Sequence, residues 1–143
     1  MISSLLLLLT HSCTKEDQFV IDEDLIQAYI ETHNLDTTAT GTGLHYVINE
    51  QGTGDQPNAN SSVTVAYKGY YTDGSVFDQS SIEGITFSLT QVIAGWQEGI
   101  PYFKEGGKGV LLIPSALGYG GQGSGGIPPN AALIFDVHLI EVL

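Results

Sequence analysis

The stretch VTVAYKGYYTDGSVFD, residues 63–78, decides the fold. Val63, Val65 and Tyr67 alternate with Thr64, Ala66 and Lys68. A period of two puts one set on a buried face and the other towards water, which is a half-buried strand. Asp73-Gly74 follows, the dipeptide that tight hairpins favour because their turns need positive φ. It turns Tyr70-Tyr71 back towards Val76-Phe77, so an antiparallel pair is written into one short segment.

The same period recurs on both sides. Leu44 to Asn49 reads as a strand, and Gly52-Thr53-Gly54-Asp55 with Pro57-Asn58 reads as the loop after it. Downstream, Ile85, Phe87 and Leu89 alternate, and Val110 to Ile113 forms a strand after Gly106-Gly107. Leu133, Phe135, Val137 and Leu139 alternate with Ile134, Asp136, His138 and Ile140 in a long final strand. One segment breaks the pattern: Ile93, Trp96 and Ile100 lie at helical spacing until Pro101 stops them. Antiparallel strands with one short helix and Gly-rich loops predict an α+β fold, a half-barrel sheet around a central helix. There are no internal repeats.

Upstream, Leu25, Ile26, Tyr29, Ile30 and His33 give an apolar helical face. Asp22, Glu23 and Asp24 suit the first turn, where the helix dipole favours acids, and the end falls near His33-Asn34. A helix of this length is marginal alone, so the face packs on the domain or serves a partner. Asp36 to Gly43 is a Thr/Gly-rich connector.

Composition removes several classes of function. The 143 residues hold 4 Lys, no Arg and 16 acidic residues, a formal charge of −12, which repels nucleic-acid backbones. His11, His33, His45 and His138 lack metal-ligand spacing. Ser61-Ser62 and Ser80-Ser81 have no recognisable histidine partner, and no carboxylate pair suggests glycosidase chemistry. Gly121-Gln122-Gly123-Ser124-Gly125-Gly126 has the formal spacing of a dinucleotide loop. Ile127-Pro128-Pro129-Asn130 follows, which cannot open the helix such a site needs, so the segment reads as a mobile loop. Neither a metal nor a cofactor is expected. What remains is aromatic: a pocket that binds.

Four blocks stand in order: VTVAYKGYYTDGSVFD, QVIAGWQEG, IPSALGYGGQG and GGIPPNAALIFDVHLIEV. Together they resemble the FKBP-type peptidyl-prolyl isomerases, from about Val63 to the end, with Gly43 to Gly54 resembling the family's first strand. The resemblance implies an isomerase domain over 43–143 and a prolyl pocket. Trp96 would be its floor, with Tyr67, Phe77, Val92, Ile93 and Phe135 as walls. Tyr119 would offer its hydroxyl to a substrate carbonyl, Ile93 a backbone N–H, and Asp78 would line the polar rim. Ile85 and Phe87 would complete one wall and Ile127 would close the loop side. Two departures stand out. No arginine follows Asp78 in Gln79-Ser80-Ser81-Ile82-Glu83, and Ile85 sits where many relatives carry an aromatic. The resemblance implies proline-containing polypeptides as substrates and macrolide immunosuppressant-type inhibitors as ligands. A chaperone or envelope scaffold using the same slot with little turnover is the alternative.

Before Cys13, Ile2 to Leu9 include five consecutive leucines, a run shorter than the roughly twenty residues that span a bilayer. Thr10-His11-Ser12 then precede the sole cysteine. This resembles a bacterial lipoprotein signal over 1–12, although no basic residue precedes the leucines. The resemblance implies acylation of Cys13, a lipid membrane as partner, and an outer-membrane lipoprotein facing the periplasm or the cell surface. Residues 13–42 would be a tether and the helix. Thr14-Lys15-Glu16-Asp17 is similar to the surface-export signal of Bacteroidetes lipoproteins, and in that setting the resemblance extends to gliding-associated isomerase lipoproteins; the same four residues also read as a solvated tether.

Overall fold

The computed structural model describes residues 13–143, so the signal reading over 1–12 lies outside the described residues. Two helices and seven strands follow in order: α1 (Lys15–His33), β1 (Thr38–Ala39), β2 (His45–Glu50), β3 (Ser62–Tyr70), β4 (Val76–Gln79), β5 (Ile85–Ser88), α2 (Ala94–Gly99), β6 (Lys108–Ile113) and β7 (Leu133–Val142). All strand pairs are antiparallel, in the order β1-β2-β6-β7-β3-β4. The expected α+β architecture is present.

β3 organises the sheet. One edge pairs with β7 over its whole length, from Val63 opposite Val142 to Tyr70 opposite Ile134. Its other edge is shared: β5 takes Ser62 to Val65, and β4 takes Lys68 to Tyr70. Between them the chain crosses close over β3, where the Tyr67 amide donates to Ser80 Oγ at 2.8 Å and the Ser80 amide to the Tyr67 carbonyl at 3.0 Å. The Asp73-Gly74 turn forms as the sequence predicts, with Gly74 at φ 88° and the Ser75 amide donating to Asp73 Oδ1 at 2.8 Å.

The alternation sorts side chains onto two faces. Val63, Val65, Leu111, Ile113, Leu133, Phe135, Val137 and Leu139 turn to a core that they share with Trp96, Ile100 and Phe103. α2 lies on this face through its glycines: a Cβ at Gly95 would sit 2.6 Å from Ile113 Cγ2, and one at Gly99 would sit 2.7 Å from Leu111 Cδ2. Pro101 does not end the helical path; it enters a 3-10 turn over Ile100–Tyr102, since proline is tolerated in a first turn where its missing N–H has no partner to lose.

α1 covers the other face and differs from expectation. It begins at Lys15, seven residues before the acidic cluster at Asp22. The reason is a capping box: Thr14 Oγ1 accepts from the Asp17 amide at 3.2 Å, and Asp17 Oδ2 from the Thr14 amide at 3.0 Å. Lys15, Glu16 and Asp17 are therefore the first helical turn. Asn34 closes the helix in the left-handed conformation, φ 51°. The apolar face also splits. Ile26, with Tyr29 and Ile30, packs on Leu112, Ala132, Val110 and Leu35, whereas Leu25 is exposed. Polar contacts reinforce this docking: His45 Nε2 lies 3.2 Å from Glu23 Oε1, and the buried Asp22 reaches Ser115.

Candidate prolyl-peptide binding site

The slot opens beside α2. Ser88 caps the 3-10 turn Leu89–Gln91 by accepting from the Thr90 amide, and Val92 and Ile93 then run extended into α2. This entry leaves Val92 and Ile93 at the mouth and sends Trp96 into the sheet, 5% exposed. Tyr67 meets the indole edge-on, with centroids 5.1 Å apart at 87°; Phe135 does so at 5.2 Å and 86°. Phe87 lies 5.3 Å from Trp96, and Phe77 stands edge-on to Phe135 at 5.5 Å. Such perpendicular pairs place positive ring edges on negative faces, so each contributes about 0.5–1.5 kcal/mol beyond its buried area.

Gly69 is part of the construction. It stands opposite Phe135 in the register, and a Cβ there would come within 2.7 Å of Phe77 Cζ and 2.8 Å of Phe135 Cε1. The two rings can therefore lean over β3 and meet above it.

The cavity volume is about 740 Å³. Tyr67, Phe77, Asp78, Ile85, Phe87, Val92, Ile93, Trp96, Tyr119, Ile127 and Phe135, which are all the slot residues expected from the sequence, line this one cavity. Tyr71, Val76, Gln91, Ser124 and Gly126 line it too and were not anticipated. Tyr71 packs against Phe77 at 5.0 Å. Its neighbour Tyr70 points away to donate to Asp136 Oδ1 at 2.8 Å, a division that a Tyr-Tyr pair entering a turn does not announce.

Asp78 has a partner that its sequence neighbourhood conceals. The Tyr67 hydroxyl donates to Asp78 Oδ2 at 2.7 Å, and the Gln79 amide donates to Oδ1 at 2.8 Å. A tyrosine in place of a cation keeps the rim acid oriented. Burial, and then the Asp78 hydrogen bond and charge, push the Tyr67 hydroxyl up to about 12, so it remains a donor across physiological pH. Ile85, 47% exposed, leaves its wall open to solvent where an aromatic would reach further.

The far side is the 114–131 loop. The Gly-rich run is closed on itself: Ser124 and Ile127 exchange backbone hydrogen bonds at 3.0 and 2.8 Å, and the Asn130 amide donates to the Gly120 carbonyl at 2.9 Å. Gly123, at φ 67°, would place a Cβ 2.3 Å from the Ile127 carbonyl, so only glycine fits that turn. The closure brings Ile127 and Tyr119 to the rim.

A sheet packed on a short helix, with an indole floor and perpendicular aromatic walls, defines an apolar slot. The family model for FKBP-type peptidyl-prolyl cis-trans isomerase matches residues 54–140. This chain belongs to that family. It is 50% identical over 106 residues to the probable FKBP-type isomerase FkpA of Neisseria meningitidis serogroup B, which covers 72% of this chain and 39% of the relative. It is 47% identical over 105 residues to FkpA of Escherichia coli K12, with 72% and 39% covered. The chain thus spans about two-fifths of the length of these curated relatives. The crystal structure of FkpA from Escherichia coli superposes with TM-score 0.77 at 40% identity, covering 89% of this chain and 62% of that one. A peptidyl-prolyl isomerase structure from Pseudomonas syringae pv. tomato gives TM-score 0.78 at 31% identity over 92% of this chain and 98% of that chain.

Proposed function

We propose that this protein is a peptidyl-prolyl cis-trans isomerase acting on proline-containing polypeptides. The observation that carries the reading is the Trp96-floored slot, with Tyr67, Phe87 and Phe135 set around the indole and the Tyr119 hydroxyl at the rim. An Xaa-Pro bond crosses a barrier of about 18–20 kcal/mol over tens to hundreds of seconds. At the perpendicular twist the amide loses resonance and its dipole falls. A dry aromatic slot holds the proline ring and favours that less polar state, while Tyr119 and the Ile93 amide orient flanking carbonyls. Neither a nucleophile nor a proton relay is required.

The direct test is cis-to-trans conversion of a panel of Xaa-Pro peptides, with Tyr119→Phe beside the wild type. Deleting one hydroxyl while keeping the ring should cost about 0.5–1.5 kcal/mol, a two- to thirteenfold fall in kcat/KM, with little change in Tm. No acceleration by the wild type would overturn the reading.

The exposed side chains of Val76, Ile85 and Tyr119 at the slot favour a second, holding activity towards unfolded chains. Asp78→Val separates the two: if only holding occurs, suppression of client aggregation survives and even the wild type shows no isomerisation. The cavity also suits a macrolide of the immunosuppressant type, and competition of such a compound with peptide turnover tests that binding.

For location, we propose acylation at Cys13 and an outer-membrane lipoprotein facing the periplasm or the cell surface. The thiol is free and exposed, one residue before the helix cap. Incorporation of labelled fatty acid that disappears in Cys13→Ala supports the anchor; equal labelling of both proteins refutes it. Replacing Lys15, Glu16 and Asp17 with alanine tests export, with lost protease accessibility in intact cells expected if they form a surface signal.

A further inference from the structure

We propose that Asp22, on α1 and outside the matched family region, is a positioning residue for Tyr119; this rests on the isomerase reading of the slot. Asp22 is 1% exposed. A carboxylate survives such burial only when donors surround it. Three do: Gln18 Nε2 reaches Oδ1 at 2.9 Å, and the Ser115 amide and hydroxyl reach Oδ2 at 2.8 and 2.5 Å.

Ser115 passes the hold onward. It opens the 3-10 turn Ser115–Leu117, is itself buried, and its carbonyl accepts from the Gly118 amide at 3.0 Å and the Gly120 amide at 2.8 Å. Those are the residues on either side of Tyr119. Both are glycines, Gly118 at φ −106°, ψ −120° and Gly120 at φ 62°, so the backbone carrying Tyr119 has little stiffness of its own. The ring is 37% exposed and is not fixed by burial either. The Ser115 carbonyl anchors this backbone on one side, and two hydrogen bonds to Asp22 fix Ser115 in turn. On the loop side the Gly123 amide donates to the Tyr119 carbonyl at 3.2 Å and the Asn130 amide to the Gly120 carbonyl at 2.9 Å.

The base of this chain is firm. α1 is capped at Thr14, packed through Ile26, and joined to β2 by Glu23 and His45. Losing the Asp22 carboxylate therefore frees the loop without freeing the helix. Asp22 touches no substrate; it acts by holding the backbone on either side of Tyr119.

The experiment is a double-mutant cycle on the full chain with Asp22→Ala and Tyr119→Phe, read as kcat/KM on one Xaa-Pro peptide, together with amide hydrogen exchange. Asp22→Ala is expected to lower kcat/KM by about two- to tenfold in the wild-type background and not at all in Tyr119→Phe. Asp22→Asn keeps an oxygen for the Ser115 donors and should restore most of the rate. The Gly118 and Gly120 amides should exchange at least about tenfold faster in Asp22→Ala, with Ile26 unchanged. Where Asp22→Ala does not fold, Ser115→Ala removes the hydroxyl donor alone and enters the same cycle with a smaller expected loss. Equal losses in both backgrounds would show a general structural effect and overturn the proposal, as would unchanged exchange at Gly118 and Gly120. A wild type without turnover overturns the isomerase reading instead, and the exchange data then still decide whether Asp22 holds the loop.

Discussion

A methyl group at Gly95 tests whether the depth of the slot is set by how closely α2 approaches the sheet. The added Cβ would lie 2.6, 2.7 and 2.9 Å from Cγ2, Cδ1 and Cγ1 of Ile113. Carbon atoms rest at about 3.5–4.0 Å, so α2 must rise by about 1 Å. Ile113 is fully buried and β-branched, and three of its atoms are struck at once, so a rotamer change offers no relief. Alanine in a helix contributes up to about 1 kcal/mol over glycine, against about 1–3 kcal/mol for overpacking. The expected net loss is about 1 kcal/mol, or about 4 °C in Tm. Trp96, the next residue, rides upward with the helix, and a displacement of that size at a binding floor costs about ten- to hundredfold in kcat/KM. Thermal unfolding and the peptide assay read both quantities. Ile113→Ala in the Gly95→Ala background should recover activity, because it removes all three of the carbons that the new methyl strikes. A Gly95→Ala protein with raised Tm and unchanged turnover would refute the reasoning.

Gly69→Ala should lower stability by about 1–3 kcal/mol in denaturant titration, because its Cβ meets Phe77 and Phe135; an unchanged midpoint would mean the rings yield freely. The Tyr67 hydroxyl keeps its proton in the fold up to about 12, above its unfolded value of about 10, through burial and then Asp78. Its contribution to stability is complete below about pH 10 and is lost as pH rises through 12, so Tyr67→Phe should lose less stability than wild type between about pH 10 and 12. His138 is held below its ordinary pKa by burial and then Lys108, so it favours the fold when neutral. That contribution disappears as pH falls from about 6.5, and His138→Gln should flatten the stability curve between pH 7 and 5; parallel curves would exclude it. Among the described residues no histidine lines the slot, so turnover should vary less than about twofold between pH 6 and 8, and a bell-shaped profile would require an acid–base pair.

The sheet was legible because alternation is a local signal: Val63 to Lys68 and Leu133 to Ile140 announce their faces residue by residue. The slot was legible through the four ordered blocks and their resemblance, since spacing alone leaves Tyr67, Phe135 and Trp96 indistinguishable from ordinary core. The start of α1 was not. Three consecutive acids at Asp22 imitate a first turn, while the true cap, Thr14 with Asp17, sits in a segment that also reads as a tether. The role of Asp22 was hidden for another reason: its partner Ser115 lies 93 residues away. Long-range pairing of single polar groups leaves no period to detect. Tyr71 escaped because a turn ends the alternation that would have assigned it a side.

The edges of the sheet carry a further consequence. One is finished by β1, two residues long, and the other is divided between β4 and β5, four residues each, with a register shift at Gly69/Tyr70. A long flat edge invites any extended chain to add itself as the next strand. A protein proposed to bind polypeptides before they have folded meets such chains constantly. Its short, interrupted borders offer them little to pair with, so a client is steered to contact through side chains in the slot and can leave once its proline has turned.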